Sequence, residues 1–171
     1  MGRIALLALF YSVQLGASYA QGILSEPLRS ETGPAIAVES DHVAVNGVVY
    51  ALYGIDAPLR VQWCLTQSER FGCGIQAFHT LQNILETGPV ACEQVRDPHL
   101  RRRVLRFGTC KIGELDVAAE MVRRGMAMAF VAQSDQYASL QEQAARDNVG
   151  LWAADEFMPP WVWEETHFDE R

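Results

Sequence analysis

Two groups of side chains in this sequence have the chemistry of a reactive site. His42 follows Asp41, with Glu39 close by, and a histidine beside a carboxylate can act as a general base. A run of arginines lies in "RRRVLR", residues 101–106, and guanidinium groups bind phosphate or carboxylate oxygens through paired hydrogen bonds. Since a lone loop histidine is more often an ordinary surface residue, the pattern allows acid–base chemistry without requiring it.

The overall charge opposes non-specific binding to nucleic acid. The formal net charge at pH 7 is −7 over 171 residues, whereas proteins that grip nucleic acid are usually basic because phosphate neutralisation supplies most of the affinity. To bind nucleic acid, this protein would have to concentrate its positive charge locally at the arginine run. If it does not bind nucleic acid, the run is interpreted as a solvated hairpin. Apolar residues make up 49% of the chain, an ordinary balance for one globular domain.

The first twenty residues predict export. "MGR" is a short positive segment, "IALLALFYSV" is apolar, and the small residues Ser18 and Ala20 precede the expected cleavage point. The apolar run is well short of the ~20 residues that a bilayer requires. We therefore interpret residues 1–20 as a secretory signal peptide, expect no membrane span in the mature chain, and expect a periplasmic or secreted protein. Removal of Arg3 takes the formal charge from −7 to −8.

Export makes the four cysteines, Cys64, Cys73, Cys92 and Cys110, informative. An even number outside the cytosol favours two disulfides, for which three pairings are open. Zinc binding is the alternative, but zinc sites prefer closely spaced C-x2-C pairs and these spacings are long and irregular. The cysteines therefore predict disulfides.

The elements that must position these residues begin with strands. β-Branched and aromatic residues predict strands at Ala35–Glu39, His42–Val45 and Val48–Tyr53. Asn46-Gly47 predicts a two-residue hairpin turn, because both central positions of a type I′ turn need positive φ. Two further strands are predicted in "PVACEQV" and "VLRFGTCKIG".

Three segments have the pattern of helices. They are "CGIQAFHTLQNILETG", "DVAAEMVRRG" with Asp116 as cap, and "SDQYASLQEQAARDNVG" with Ser134 as cap. The tail "LWAADEFMPPWVWEE" is expected to pack irregularly and end in an exposed acidic stub. Five strands and three helices predict an α+β domain, with residues 21–34 as a flexible leader, 35–163 as the domain and 164–171 as an acidic tail.

Several segments together resemble the thermonuclease, or staphylococcal nuclease-like, family, especially its small exported bacterial members. They are "DHVAVNGVVYALYGIDAP", "VQWC", "CGIQAFHTL", "DVAAEMVRRGMAMAF" and "AARDNVGLWAADEFMPPWVW". The resemblance runs from about Ala35 to Trp163. It implies a five-stranded OB-fold β-barrel with three α-helices, the disulfide pairs Cys64–Cys73 and Cys92–Cys110, and, in active members, calcium-dependent hydrolysis of DNA and RNA.

The resemblance implies metal ligands at three positions. Asp41 in "ESDH" aligns with the second calcium-binding aspartate of the family's D-G-D-T pattern, and Asp56 of "YGIDAP" aligns with the other carboxylate ligand. Ala57 would lend its backbone carbonyl. Such oxygens suit Ca²⁺, which is the cofactor implied. Without a metal, Asp41 is interpreted as a solvated loop acid and Asp56 as a turn residue before Pro58.

The catalytic positions of the family are altered. An arginine five residues before the D-x-P aspartate is replaced by Ala51, and the glutamate after the proline is replaced by Leu59. The family's second arginine would come from "DPHLRRRVLR", where the register leaves Arg103 or its neighbours Arg101 and Arg102 as candidates. We therefore expect nuclease activity to be weak or lost.

Other roles stay open. His42 or Glu39 would serve as the base of a rewired site. OB barrels also bind extended polymers across one face, so nucleic acid or an acidic polysaccharide is a candidate partner, and exported relatives occur in gene clusters for exopolysaccharides such as succinoglycan. A third hypothesis is a partner-binding surface formed by Trp152, Trp161 and Trp163, against the alternative that these rings pack on the barrel.

Overall fold

The computed structural model describes residues 28–96 and 106–167, which form a mixed α+β fold. The strands are β1 (Ser30–Gly33), β2 (Ala35–Glu39), β3 (His42–Val45), β4 (Val48–Leu52), β5 (Ile55–Asp56), β6 (Cys64–Leu65), β7 (Arg70–Phe71), β8 (Val90–Val95), β9 (Phe107–Ile112), β10 (Leu115–Asp116) and β11 (Met128–Ala129). The helices are α1 (Cys73–Leu85), α2 (Val117–Arg123), α3 (Ala138–Arg146) and α4 (Pro160–Thr166), with a 3₁₀ turn at Gly150–Ala153. No helix in these ranges is both long and apolar enough to cross a membrane.

Within the described ranges the central sheet has seven strands. Their order is β1-β8-β9-β4-β3-β2, and β10 pairs with β9 outside this path. β4 and β9 run parallel, whereas the other pairs of this sheet are antiparallel. The five strands that the sequence predicts are present, but β1 and β10 extend the sheet, so the expected count of five is wrong.

The hairpin between β3 and β4 follows the local sequence signal. Asn46 and Gly47 have φ angles of 50° and 78°, and they connect the paired residues Val45 and Val48. β3 alternates in burial, since Val43 and Val45 are fully buried while His42 is partly exposed. The register of β3 therefore directs His42 to the face opposite the core.

β1 lies inside the segment that the sequence led us to interpret as a flexible leader. Ser30–Gly33 pairs with β8 through the backbone, and its polar residues carry no alternating apolar pattern that would predict a strand. Only Pro34 separates β1 from β2. The two outermost strands of the sheet are thus consecutive in sequence, so the sheet curls back on itself, and β3 contacts both β1 and β8. This is compatible with an OB-like fold, although no hydrogen-bonded ladder among the described residues closes a barrel.

The described part of the chain has four α-helices where three were expected. Asp116 caps α2 as predicted, since its carboxylate accepts a hydrogen bond from Ala119 N–H at 3.0 Å. The predicted cap of α3 is wrong: Tyr137 precedes that helix, because the N–H of Ser134 bonds to Phe130 O in a preceding turn.

α4 replaces the irregular tail that we expected. Pro160 begins this helix, at a position where the missing N–H of proline would have no helical partner. The tail rings pack within the chain, with centroids 5.4 Å apart for Trp163 and Trp63 and 5.6 Å apart for Trp161 and Phe130. These contacts favour packing on the domain over a surface formed by the three tail tryptophans.

The four cysteines form two disulfides, with the pairing that the family resemblance implies. Cys92 and Cys110 are direct partners across β8 and β9. Cys64 and Cys73 join β6 to the first residue of α1. Both bridges are fully or almost fully buried.

Gly74 is the point where three segments near the predicted site meet. Its N–H donates to Gln62 O at 3.1 Å, and its carbonyl accepts a 3.2 Å hydrogen bond from the buried hydroxyl of Ser40. A Cβ atom at Gly74 would lie 1.7 Å from Leu59 O. The start of α1, the loop after Asp56 and the turn between β2 and β3 therefore pack together only because position 74 has no side chain.

Replacing Gly74 with alanine tests this close approach. We expect Gly74→Ala to lower the free energy of unfolding by about 3 kcal/mol, because the clash is with backbone atoms that cannot rotate away. The measurement is urea denaturation followed by circular dichroism.

Gly72→Ala is the matched control. A Cβ there would meet only side-chain atoms of Ile75, the nearest being Cγ2 at 2.8 Å, and a side chain can move aside. Equal losses of stability in the two variants would contradict the packing described for Gly74.

Candidate functional site

A row of side chains crosses the outer face of the sheet where the sequence predicts the site. The strand register pairs Glu39 with His42, His42 with Ala51, and Ala51 with Phe107. Residues paired in this way share one face of a sheet. An acid, an imidazole, a methyl group and an aromatic ring therefore lie side by side, and the methyl group is that of Ala51, where the resemblance implies an arginine in the family.

Asp41 lies next to this row and is bound by the protein itself. Its Oδ1 atom is 2.6 Å from Nδ1 of His42, and its Oδ2 atom accepts a long 3.5 Å hydrogen bond from Ala57 N–H. The side chains of Asp41 and His42 are only 15% and 23% exposed. The backbone carbonyl of Asp41 accepts from Leu52 N–H at 2.9 Å, which fixes the turn against β4.

Asp56 ends β5, where it pairs with Met128 of β11. Burial raises the pKa of Asp56 from 3.8 to about 8, and the charges of Asp41 and Glu164 add to this rise. His42 and the N–H of Ala57 offset only part of it. The structure thus brings Asp41 and Asp56 into each other's field, as the resemblance implies, and holds Asp56 largely protonated near neutral pH.

The pKa of His42 is raised above its ordinary value. Burial lowers this pKa, but the hydrogen bond to Asp41 and the charges of Asp41, Glu39 and Glu164 outweigh that effect. One carboxylate oxygen of Glu39 is buried without a hydrogen-bond partner. The carboxyl groups around His42 therefore favour the protonated form of its imidazole.

Glu164 is the residue of this site that the sequence analysis missed. We had assigned it to the exposed acidic tail, whereas it lies in α4, is only partly exposed, and acts on both Asp56 and His42. The signal that could have found it is Pro159-Pro160, because proline at the first helical position often begins a helix. The predicted boundary at residue 164 cuts through α4.

Neither of the two positions at which the resemblance implies a catalytic side chain, Ala51 and Leu59, supplies an ionic group. Ala51 is 5% exposed, and its N–H donates to the carbonyl of Arg106 at 2.7 Å. Leu59 carries an aliphatic side chain, and the guanidinium of the next residue, Arg60, lies 4.4 Å above the ring of Phe78. The candidates at positions 101, 102 and 103 lie outside the described residues.

The residues present do not fit a calcium centre. Ca²⁺ takes about six to eight oxygen ligands, whereas the resemblance assigns it only two carboxylates and one carbonyl here, and one of those carboxylates, Asp41, is hydrogen-bonded to His42. Among residues 28–96 and 106–167, no group of three or more acidic, histidine or cysteine side chains is arranged to hold a metal ion. The described residues therefore do not provide a complete set of ligands for the Ca²⁺ ion that the family resemblance implies.

Replacing Asp56 with asparagine tests the protonation of this site. Between pH 4 and pH 8 the folded protein keeps a proton on Asp56 that the unfolded chain has lost, since the pKa rises from 3.8 to about 8 on folding. This contribution to stability is complete at low pH and is lost as the pH rises. We expect Asp56→Asn to match the wild type near pH 4 and to exceed it at pH 8 by about 2 kcal/mol, measured by thermal denaturation across that range.

Asp135→Asn removes an exposed acid elsewhere and serves as the control, for which we expect no change in the shape of the stability–pH curve. Parallel curves for the wild type and Asp56→Asn would show that Asp56 titrates normally and would contradict the electrostatics described above.

Comparison with known proteins identifies the family. Residues 50–154 match the sequence profile described as "Staphylococcal nuclease homologue", a match that covers more than half of the chain. A search of curated proteins found no match. The matched region includes Ala51, Asp56, Ala57 and Leu59, whereas Asp41 and α4 lie outside it. The chain belongs to the staphylococcal nuclease homologue family.

Proposed function

We propose that this protein is an exported staphylococcal nuclease homologue in which calcium-dependent phosphodiester hydrolysis is weak or lost. The observation that supports the proposal is the row Glu39–His42–Ala51–Phe107, in which Ala51 contributes a buried methyl group where the resemblance implies an arginine. The signal-like residues 1–20 and the two buried disulfides support export.

The physical reason is the charge that hydrolysis develops. Attack on a phosphodiester builds negative charge on the non-bridging oxygens, which arginine side chains and a divalent cation stabilise. Here Asp41, Asp56 and Glu164 instead surround the site with carboxyl groups. Loss of one preorganised donor typically costs a factor of ~10²–10³ in rate, and loss of a water-orienting carboxylate costs a further ~10²–10⁴.

Restoring the missing groups tests this proposal. We expect the purified wild type to cleave single-stranded DNA in millimolar calcium at a rate close to or below the detection limit. Ala51→Arg combined with Leu59→Glu should raise the chelator-sensitive cleavage rate by about 10²-fold or more, because both groups act on the transition state. Adding His42→Thr, the residue of the family's D-G-D-T pattern, frees Asp41 for the metal and should raise the rate further.

The matched control places the same charges elsewhere. Ala91→Arg with Val61→Glu substitutes two exposed residues, and we expect no gain of activity. Chelator-sensitive cleavage by the wild type that Asp56→Ala abolishes would refute the loss of hydrolysis. Calcium that raises the melting temperature of the wild type by more than about 2 °C at 10 mM would refute the poor metal fit.

The remaining role that we propose is binding of an extended polymer across this face of the sheet. Domains of this family bind nucleic acids, but a phosphate chain would meet Glu39, Asp41 and Glu164 here, with a net charge of −7 behind them. The ring of Phe107 lies in the row beside Ala51 and contacts Tyr53 edge-on at 6.5 Å. An aromatic ring can stack on a sugar ring, and carboxylates accept hydrogen bonds from sugar hydroxyl groups, so this face suits the uncharged sugar units of an exopolysaccharide, in an accessory role, better than a chain with a phosphate at every unit.

Binding assays distinguish the two candidate ligands, a polysaccharide and a nucleic acid. We expect retention on an immobilised exopolysaccharide such as succinoglycan and no retention on single-stranded DNA at physiological salt. Phe107→Ala should reduce glycan retention several-fold because it removes the aromatic face, whereas Phe71→Ala, another partly exposed phenylalanine, should not. Tight, salt-sensitive DNA binding with no glycan retention would contradict the polysaccharide role.

A further inference from the structure

A second concave site lies between β6 and α4. It is a cavity of about 220 Å³ whose described walls include Trp63, Phe157, Trp163, Glu156 and His167. None of these residues belongs to the row or to the acidic group around Asp56. The cavity is therefore a feature that the proposed function does not use.

The walls of this cavity are held in place by the backbone. Glu156 pairs with Leu65 of β6 in both directions, with N···O distances of 2.9 and 3.3 Å. The carbonyl of Met158 accepts a 2.7 Å hydrogen bond from the buried side chain of Gln62. β6 is itself tied to α1 by the Cys64–Cys73 disulfide. The cavity is thus preformed and needs no large movement to accept a ligand.

The rings form a corner. The indoles of Trp63 and Trp163 are perpendicular, with centroids 5.4 Å apart. His167 stacks on Trp163 at 3.9 Å, and Phe157 supplies a fourth ring of the wall. The guanidinium of Arg70, which does not line the cavity, lies 3.8 Å over the ring of Trp63. The protein's own cation therefore covers one of the two faces of this indole.

The chemistry of the walls selects a class of ligand. Polar side chains are few, namely Glu156 and His167, whereas a sugar would bring several hydroxyl groups that each need a partner. An alkylated ammonium has no hydroxyl groups to satisfy, and its methyl groups carry positive charge that aromatic faces attract. The carboxylate of Glu156 provides the opposite charge.

We propose that this aromatic cavity binds a small organic cation with a quaternary or methylated ammonium group. Trp63, Trp163 and Phe157 contact its methyl groups, and Glu156 balances its charge. A trimethylammonium group is smaller than the cavity volume of about 220 Å³. The site is independent of whether the protein hydrolyses or binds a polymer.

Choline is the probe for this site. We expect saturable quenching of tryptophan fluorescence by choline chloride at constant ionic strength, with a Kd on the order of 1 mM. The neutral isostere 3,3-dimethylbutan-1-ol should bind about tenfold more weakly, because it keeps the shape and loses the cation–π attraction. Heteronuclear NMR of the same titrations would show whether the indole signals of Trp63 and Trp163 shift.

Two variants identify the residues. Glu156→Gln should weaken choline binding about fivefold through loss of the opposite charge, while the exposed Glu165→Gln on α4 changes the net charge equally and should bind as the wild type does. Trp63→Leu should weaken binding at least about tenfold with an unchanged circular dichroism spectrum. Equal binding of choline and its isostere, preference for glucose, or no saturation by about 50 mM choline would each overturn the proposal.

Discussion

The contact between the carbonyl of Leu59 and the bare Cα of Gly74 sets the geometry of the whole site. Because no side chain separates them, the loop after Asp56 lies directly against the first turn of α1, and Ser40 bonds to the same glycine from the other side. The Cys64–Cys73 bridge closes the loop next to this contact. Acids from two separate turns are thereby held within each other's electric field.

The result is a site in which acidic side chains outnumber the positively charged groups that could balance them. In the described residues around Asp56, the charges that favour its ionisation come from His42 and one backbone N–H, while Asp41 and Glu164 oppose it. A buried carboxyl that lacks a cation takes up a proton instead. Burial and the charges of Asp41 and Glu164 therefore raise the pKa of Asp56 more than His42 and the Ala57 N–H lower it.

The sequence predicted the parts of this fold that local patterns control. The strands β2, β3 and β4 follow from alternating β-branched residues, and Asn46-Gly47 fixes their hairpin because its φ angles are a local property. β1 could not be predicted, because the segment Ser30–Gly33 contributes only backbone pairing to β8. Its strand character depends on a partner about sixty residues away in the chain.

The candidate site was predictable only in part for a related reason. Asp41 and Asp56 could be named from a motif, and the pairing of Asp41 with His42 follows from their being neighbours. Glu164 acts through space from α4, and its burial depends on how the tryptophans of the tail pack. Spacing in the sequence does not contain that information.

Only Pro34 separates β1 from β2, yet these strands lie at opposite ends of one curled sheet, where β1 pairs with β8 and β2 pairs with β3. If β1 detaches, β8 gains an open edge with unpaired N–H and carbonyl groups, and such edges recruit other strands. The freed segment is short, polar and connected by one rigid link. Two copies at high concentration can then exchange their first strands, so intermolecular strand swapping is the form of self-association that this architecture favours.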